Sequence, residues 1–256
     1  MSDDSVYLYA IGDAAIADSD VLLETTGVEA VPVRTVVEGP LAAVVASVDR
    51  DRFSEESIRA RLEDLEWLEK LARMHHEVVD RIARAYPIAP VRMATVYLDD
   101  TGVRQLLRDH RAELATTLDR VRGRSEWGVK GYAAPANEAS GAEPEAPASD
   151  APGTSYLLRR RAERDRAANR RERVMEAAEK LHQEFAGLAV DNRVYPAQDP
   201  RLTGRREEMI LNAAYLVDEA GAALLAQRVN TATDNELRLE LTGPWAPYSF
   251  TSLGES

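Results

Sequence analysis

Four histidines, at positions 75, 76, 110 and 182, are the side chains of this chain that ordinarily titrate near neutral pH, so any acid–base or metal chemistry would be sought there first. Their spacing argues against both. His75 and His76 are adjacent, and on a helix adjacent side chains point about 100° apart, too far to chelate one ion comfortably. No H-x-x-x-H or H-E-x-x-H spacing occurs. With only His110 and His182 besides, a nucleophilic triad is hard to build. His76 falls on an apolar stripe of its helix, so the expected reading of the pair is a hydrogen-bonded core histidine. Cysteine is absent, which excludes disulfides, thiolate catalysis and cysteine zinc sites. The phosphate-loop, dinucleotide and nucleophile-elbow glycine motifs are also missing.

Charged residues offer three further candidates. Asp99–Asp100 precede Thr101–Gly102 and read as a turn or helix cap before they read as an acid–base pair. Arg92 sits in A-P-V-R-M-A-T-V-Y, a run that reads as a strand. Its face would hold Ala94, Val96 and Leu98, and a buried guanidinium there needs a carboxylate or carbonyls. An ion pair is the first expectation and a site role the second. Arg159, Arg160, Arg161, Arg164, Arg166, Arg170, Arg171 and Arg173 crowd one expected helix, with Glu163, Asp165 and Glu172 among them. Helical nucleic-acid readers align their cations on one face, whereas Arg159, Arg160, Arg161 and Arg166 project around the axis. A solvated, self-paired helix is the plain reading; a docking patch for an acidic protein surface is the functional one.

The composition frames these candidates. Apolar residues make up 45% and charged residues 30%, enough to build a core. The net charge of −12 repels phosphate, so neither nucleic acid nor an anionic membrane is an expected partner. The opening M-S-D-D-S-V-Y-L-Y-A has no basic and apolar leader, and no apolar run reaches the ~18–20 residues a membrane span needs. The expectation is a soluble, cytoplasmic protein without cofactor or metal.

The elements that would position these residues are legible in outline. Val6–Ile11 reads as a strand, and Val28–Val37 and Leu41–Val48 as a hairpin about E-G-P. One long helix is expected from the Ser54 cap to Tyr86, ended by P-I-A-P. A strand Val91–Leu98 and a helix Val103–Arg122 follow. The remainder reads strand (Glu126–Tyr132), helix (Ser155–Phe185), strands (Ala189–Tyr195, Glu208–Val217), helix (Gly221–Ala232) and strand (Glu236–Leu241), a β-α-β-β-α-β order. Ala133–Thr154 has four prolines and no large apolar side chain, so a mobile acidic insertion is expected at 133–154. The fold class expected is therefore α+β in two domains. Residues 1–123 form a mixed α/β domain with a small sheet and a long helix, and residues 124–256 a ferredoxin-like domain carrying the insertion.

The long helix carries two apolar stripes. Ile58, Leu62, Leu65, Leu68, Ala72, Val79 and Ala83 form one; Trp67, Leu71, Met74, Val78 and Ile82 form the other. A surface helix needs one stripe only. The second is either covered by another element or lines an exposed partner groove at Trp67, Leu71 and Met74. Near the chain end, Trp245, Tyr248 and Phe250 follow Gly243–Pro244, which should end the last strand. A tail so aromatic should pack down as a structural clasp, against a domain seam or the Trp67 stripe.

Four segments together, V-Y-L-Y-A-I, A-P-V-R-M-A-T-V-Y, W-G-V-K-G-Y and above all L-T-G-P-W-A-P-Y-S-F, resemble the GvpF/GvpL family of gas vesicle accessory proteins. The agreement in element order spans almost the whole chain outside Ala133–Thr154. The resemblance implies a two-domain architecture with a ferredoxin-like second domain and no catalytic residues to carry over. It also implies a gas-vesicle-associated protein that contacts the small hydrophobic shell protein and aids nucleation or chaperones assembly, with other vesicle accessory proteins as further partners. The protein itself is expected to be a monomer. The acidic insertion and the arginines after it depart from the family pattern. The alternative reading is a small-molecule-binding regulatory protein with a ferredoxin-like domain, an argument from fold alone.

Overall fold

In the computed structural model, which describes residues 4–134, 152–199, 204–205, 207–232 and 236–251, V-Y-L-Y-A-I forms the centre of strand β1 (Asp4–Asp13). Val6 to Gly12 are all buried, so β1 is covered on both faces, where an alternating strand needs cover on one. A one-turn helix α1 (Asp20–Leu23) follows. Then β2 (Val33–Glu38) and β3 (Leu41–Asp49) form the expected hairpin, with Glu38 opposite Leu41 and Gly39 at φ +58°, a conformation glycine adopts freely. β2 begins later than its β-branched run because Val28–Ala30 forms a 3-10 turn.

The helix expected over Ser54–Tyr86 is two helices, α2 (Glu55–Ala60) and α3 (Leu65–Ala83). Ser54 caps the first, accepting from the Ser57 N–H at 3.2 Å. The chain then breaks, because Asp64 accepts from the Trp67 N–H at 3.1 Å and starts a new helix. An aspartate that can satisfy a free N–H favours the cap over the helix interior. Where one strand was expected over Val91–Leu98, the chain forms β4 (Ile88–Pro90) and β5 (Val96–Tyr97), separated by a bend with Ala94 at φ +64°. The helix expected over Val103–Arg122 is likewise two, α4 (Asp100–Asp109) and α5 (Arg111–Val121), joined at His110. Asp99 caps α4 by accepting from the Gly102 N–H at 3.0 Å, and that bond holds its carboxyl below the usual range.

These strands form an antiparallel sheet in the order β2-β3-β1-β4, with β5 also on β1. On one face Tyr7, Tyr9 and Val44 cluster with Leu71, Val78, Val79 and Ile82 of α3. On the other, Val6, Leu8 and Val45 cluster with Val103 and Leu107 of α4 and Leu114 and Leu118 of α5. Burying each such side chain stabilises by roughly 1.5–3 kcal/mol, so helices on both faces account for the doubly buried strand.

The expected β-α-β-β-α-β order then appears as β6 (Arg124–Ala133), α6 (Pro152–Ala186), β7 (Asp191–Val194), β8 (Met209–Asp218), α7 (Glu219–Thr231) and β9 (Leu237–Trp245). They build a four-stranded sheet in the order β7-β8-β6-β9. α6 buries Val174, Ala178, Leu181 and Phe185 at helical spacing, and α7 buries Leu225 and Val229. Phe185 meets Tyr215 edge-on at 5.7 Å. β9 continues through Pro244 to Trp245, although Gly243–Pro244 was expected to stop it; on an edge strand a missing N–H need deprive no neighbour. Most of the acidic insertion expected at 133–154, residues 135–151, lies outside the described residues.

The chain divides into two compact units. One comprises Met1–Glu126, Leu216–Glu219 and Gly243–Ser256; the other comprises Trp127–Tyr215 and Ala220–Thr242. Gly243–Ser256 therefore groups with the first unit, whereas the sequence boundary assigned it to the second. The fold is α+β, with two antiparallel sheets and helices.

Candidate functional site

A buried group of hydrogen-bonded polar side chains in the first unit surrounds His75 on α3. This histidine is 3% exposed, and it is the buried one of the pair; His76, which the stripe pattern placed in the core, is half-buried instead. Nε2 of His75 lies 3.2 Å from the Val91 carbonyl oxygen, which can only accept, so Nε2 carries the proton. Nδ1 then accepts from the Tyr7 hydroxyl at 3.1 Å, and that hydroxyl accepts in turn from the Ala94 N–H at 3.0 Å. Burial lowers the His75 pKa to about 4 and raises that of Tyr7 above its ordinary value. The ring is therefore neutral at pH 7. Beside it, the Tyr9 hydroxyl accepts from the Val28 N–H at 2.8 Å, and burial pushes its pKa up to about 12.

The closing segment packs into the same unit. Tyr248 lies with its ring centroid 6.3 Å from that of His75, and Trp245 sits 5.5 Å from His76. Glu126 accepts from both the N–H and the hydroxyl of Ser249, Arg120 donates to the Phe250 carbonyl, and Thr251 donates to the Pro90 carbonyl at 3.2 Å. Phe250 is buried, Tyr248 half-buried and Trp245 43% exposed. Three segments far apart in sequence, carrying Tyr7, Val91–Ala94 and Tyr248, thus meet around one histidine.

The other sequence candidates are dispersed. Leu71 is only 4% exposed and belongs to the core, so it lines no open groove; Trp67 and Met74 are half-buried against the same cluster. The first stripe is divided: Leu62 and Leu65 are exposed, Leu65 by 78%, whereas Val79 is buried in the same core. The sheet covers the Leu71–Val78–Ile82 side of α3, and the break at Asp64 turns the helix start outward. Arg92 lies in the bend after β4, not in a strand, and is exposed. Asp100 forms a two-point ion pair with Arg34, at 2.7 and 3.1 Å. On the second unit, Arg159, Arg160 and Arg166 are exposed on α6. An open groove of about 320 Å³ lies between α6 and α7, lined by Leu188, Leu224, Gln227 and Thr231, with the Arg228–Glu184 ion pair at 2.7 Å in its wall. Among the described residues no cluster of histidine, aspartate and glutamate is arranged to hold a metal, and no helix is long and apolar enough to cross a membrane.

A family model for the gas vesicle synthesis proteins GvpL/GvpF matches residues 5–252. The chain belongs to the GvpL/GvpF family. Gas vesicle protein L of Streptomyces sp. (strain CB03234) is 41% identical over 230 residues, covering 90% of this chain and 86% of that protein. Gas vesicle protein L1 of Halobacterium salinarum is 28% identical over 261 residues, covering 95% and 89%. The crystal structure of GvpF from Anabaena sp. PCC7120 superposes with a TM-score of 0.67 at 19% identity, over 98% of both chains. That of GvpF from Microcystis aeruginosa gives 0.64 at 15%, over 97% and 99%. At such identities the superpositions speak to the fold.

Three of the four segments that carry the GvpL/GvpF resemblance meet in the first unit. V-Y-L-Y-A-I supplies Tyr7 and Tyr9, A-P-V-R-M-A supplies the Val91 carbonyl and the Ala94 N–H, and the closing segment supplies Tyr248. What sequence reasoning missed was His75 as their common partner. The available signal was its position: it lies four residues after Leu71 and three before Val78, on the stripe that became the core face.

Proposed function

We propose that this member of the GvpL/GvpF family is an accessory factor for gas vesicle assembly. It binds the small hydrophobic shell protein, aids its nucleation or chaperones it, and catalyses no reaction. The observation that carries this reading is the family match along residues 5–252, joined to the long alignment with gas vesicle protein L. An apolar, edge-prone shell subunit needs a partner until it assembles. We place the contact at the elbow between α2 and α3, where Leu62 and Leu65 stand in solvent and half-buried Trp67 lies in the first turn of α3. The Arg61 guanidinium lies 5.6 Å over the Trp67 ring. We read the two units as domains, the second as ferredoxin-like on its element and strand order, and Trp245, Tyr248 and Phe250 as a clasp on the first. In this reading the protein works as a cytoplasmic, vesicle-associated monomer, without cofactor, nucleic acid or membrane, and contacts other vesicle accessory proteins.

Co-purification with the shell protein tests it. Leu65→Glu and Trp67→Glu should each lose the shell protein while keeping the circular dichroism spectrum. A wild-type chain that captures neither the shell protein nor any other vesicle protein would end the reading. The groove between α6 and α7 favours a second one, a small-molecule regulatory role, because its volume is at the low end of ligand sites. A thermal-shift screen in which no metabolite stabilises the protein would remove it.

A further inference from the structure

The start of α6 runs past the end of the sheet that its later turns cover. Arg170 donates to the Ala134 carbonyl, Arg171 pairs with Glu208 at 2.9 Å, and Arg173 pairs with Glu236 at 2.9 Å. These acceptors are the residue after β6 and the residues before β8 and β9, all at one end of the sheet; Ala133 and Ala134 bond across to Glu208 and Glu236 there. The helix therefore passes the sheet end at 170–173. Toward its N-terminus, every described side chain from Tyr156 to Asn169 is exposed except half-buried Ala162. At 1.5 Å per residue this is an arm of about 21 Å, more than two Debye lengths at physiological salt. The arm holds Arg159, Arg160, Arg161, Arg164 and Arg166 against Glu163 and Asp165, a net +3 on a chain of −12.

Two further features decide what such an arm fits. The residues that continue the core-facing direction of Val174, Ala178 and Phe185 are Tyr156, Arg160, Glu163 and Ala167, too polar to bury against a sheet. None of the five arginines forms an ion pair among the described residues, even though Arg159–Glu163 and Arg161–Asp165 have pairing distance along the helix. Arg160 instead rests on the Tyr156 ring at 5.9 Å, and Tyr156 and Leu158 are 58% and 63% exposed. Arginine forks beside a tyrosine and a leucine make a protein-binding composition: the guanidinium takes a carboxylate at two points, and the apolar groups need an apolar partner. A phosphate backbone offers nothing to Tyr156 and Leu158, and Glu163 and Asp165 repel it.

We propose that residues 156–169 of α6 are a docking arm for an acidic, partly apolar segment of another protein, carboxylates on the arginines and apolar side chains on Tyr156 and Leu158. This partner class is distinct from the apolar shell protein, and the proposal stands or falls independently of shell-protein binding.

The test uses the full chain and a fluorescent 20-residue peptide alternating glutamate pairs with leucine, read by anisotropy. The wild type should bind it, with affinity falling steeply between 50 and 300 mM salt. The variant with Arg159, Arg160, Arg164 and Arg166 changed to glutamine should bind at least tenfold more weakly, with an unchanged circular dichroism spectrum. The corresponding lysine variant should recover only part of that loss. Tyr156→Ala/Leu158→Ala should weaken the leucine-bearing peptide and leave an all-glutamate peptide unaffected. No peptide binding, or equal binding by the glutamine variant, overturns the proposal. Tighter binding of a single-stranded RNA of equal charge overturns it in favour of phosphate. Arginine-dependent dimerisation that excludes the peptide overturns it in favour of a second copy of this chain.

Discussion

Nδ1 of His75 lies 3.1 Å from the hydroxyl of Tyr7, a residue 68 positions away, and this pair fixes the protonation state of both. The opposite ring nitrogen gives its proton to Val91, so Tyr7 must donate, and it is free to accept from Ala94. Every polar atom of the pair has a partner with complementary chemistry. A buried network satisfied in this way orders the elements that contribute to it, here β1, α3 and the bend after β4.

Protonating His75 destroys the network. Its folded pKa, about 4, lies below its ordinary 6.5, so between those values the unfolded chain binds a proton that the folded chain does not. Stability should be full above pH 6.5 and fall as the pH drops toward 4, by on the order of 3 kcal/mol from this group. The facing titratable groups, Tyr7, Tyr9 and Tyr248, stay neutral throughout because burial raises their pKa values. Urea midpoints measured from pH 4 to 7 should show this slope in the wild type and lose much of it in His75→Phe, whatever the absolute stability of that variant.

Tyr7→Phe leaves the ring packing in place and removes one hydroxyl with two bonds. Nδ1 of His75 loses its donor and the Ala94 N–H its acceptor. The expected cost is about 1–3 kcal/mol in urea unfolding. A cost below about 0.5 kcal/mol would mean that water replaces the hydroxyl.

Gly27 is required by close approach. A Cβ there would stand 2.3 Å from the Tyr9 hydroxyl oxygen and 3.2 Å from the ring carbon bearing it. Gly27→Ala should destabilise by about 1–3 kcal/mol, the usual cost of overpacking. Tyr9→Phe removes the clashing oxygen, so a double-mutant cycle should show that the alanine costs less in the phenylalanine background.

The closing segment should stabilise the first unit. Phe250 is buried, and Phe250→Ala should cost about 3–5 kcal/mol, as large-to-small core changes do. Trp245→Ala, at a half-exposed ring, should cost much less. Hydrogen exchange should show loosened protection at the start of β6 in the Phe250→Ala protein, since Glu126 holds Ser249. Equal effects of the two substitutions would contradict the packing order.

The sequence read well where a local rule had no competitor. The Gly39 hairpin, the Ser54 cap, the Asp99 cap and the β-α-β-β-α-β order all follow from residues within a few positions of one another. It read poorly where a local rule was right but outranked. A single helix is expected across Asp64 because it looks like one more polar residue on a periodic stretch, although its side chain caps a new start. One strand was expected across Ala94, since nothing nearby announces a left-handed alanine; its N–H is held by Tyr7, 87 residues away.

The sequence by itself determined the element types, the family and the absence of cysteine and nucleotide-motif chemistry, because each is written in composition or short-range pattern. Tertiary structure alone decided which residues of the two α3 stripes became core and which histidine was buried. It also decided that the closing aromatic segment belongs to the first unit, and that the arginine helix runs past its sheet. The physical reason is common to all four. Apolar periodicity shows that a face is to be covered, but which face, and by what, depends on contacts between residues that only folding brings together.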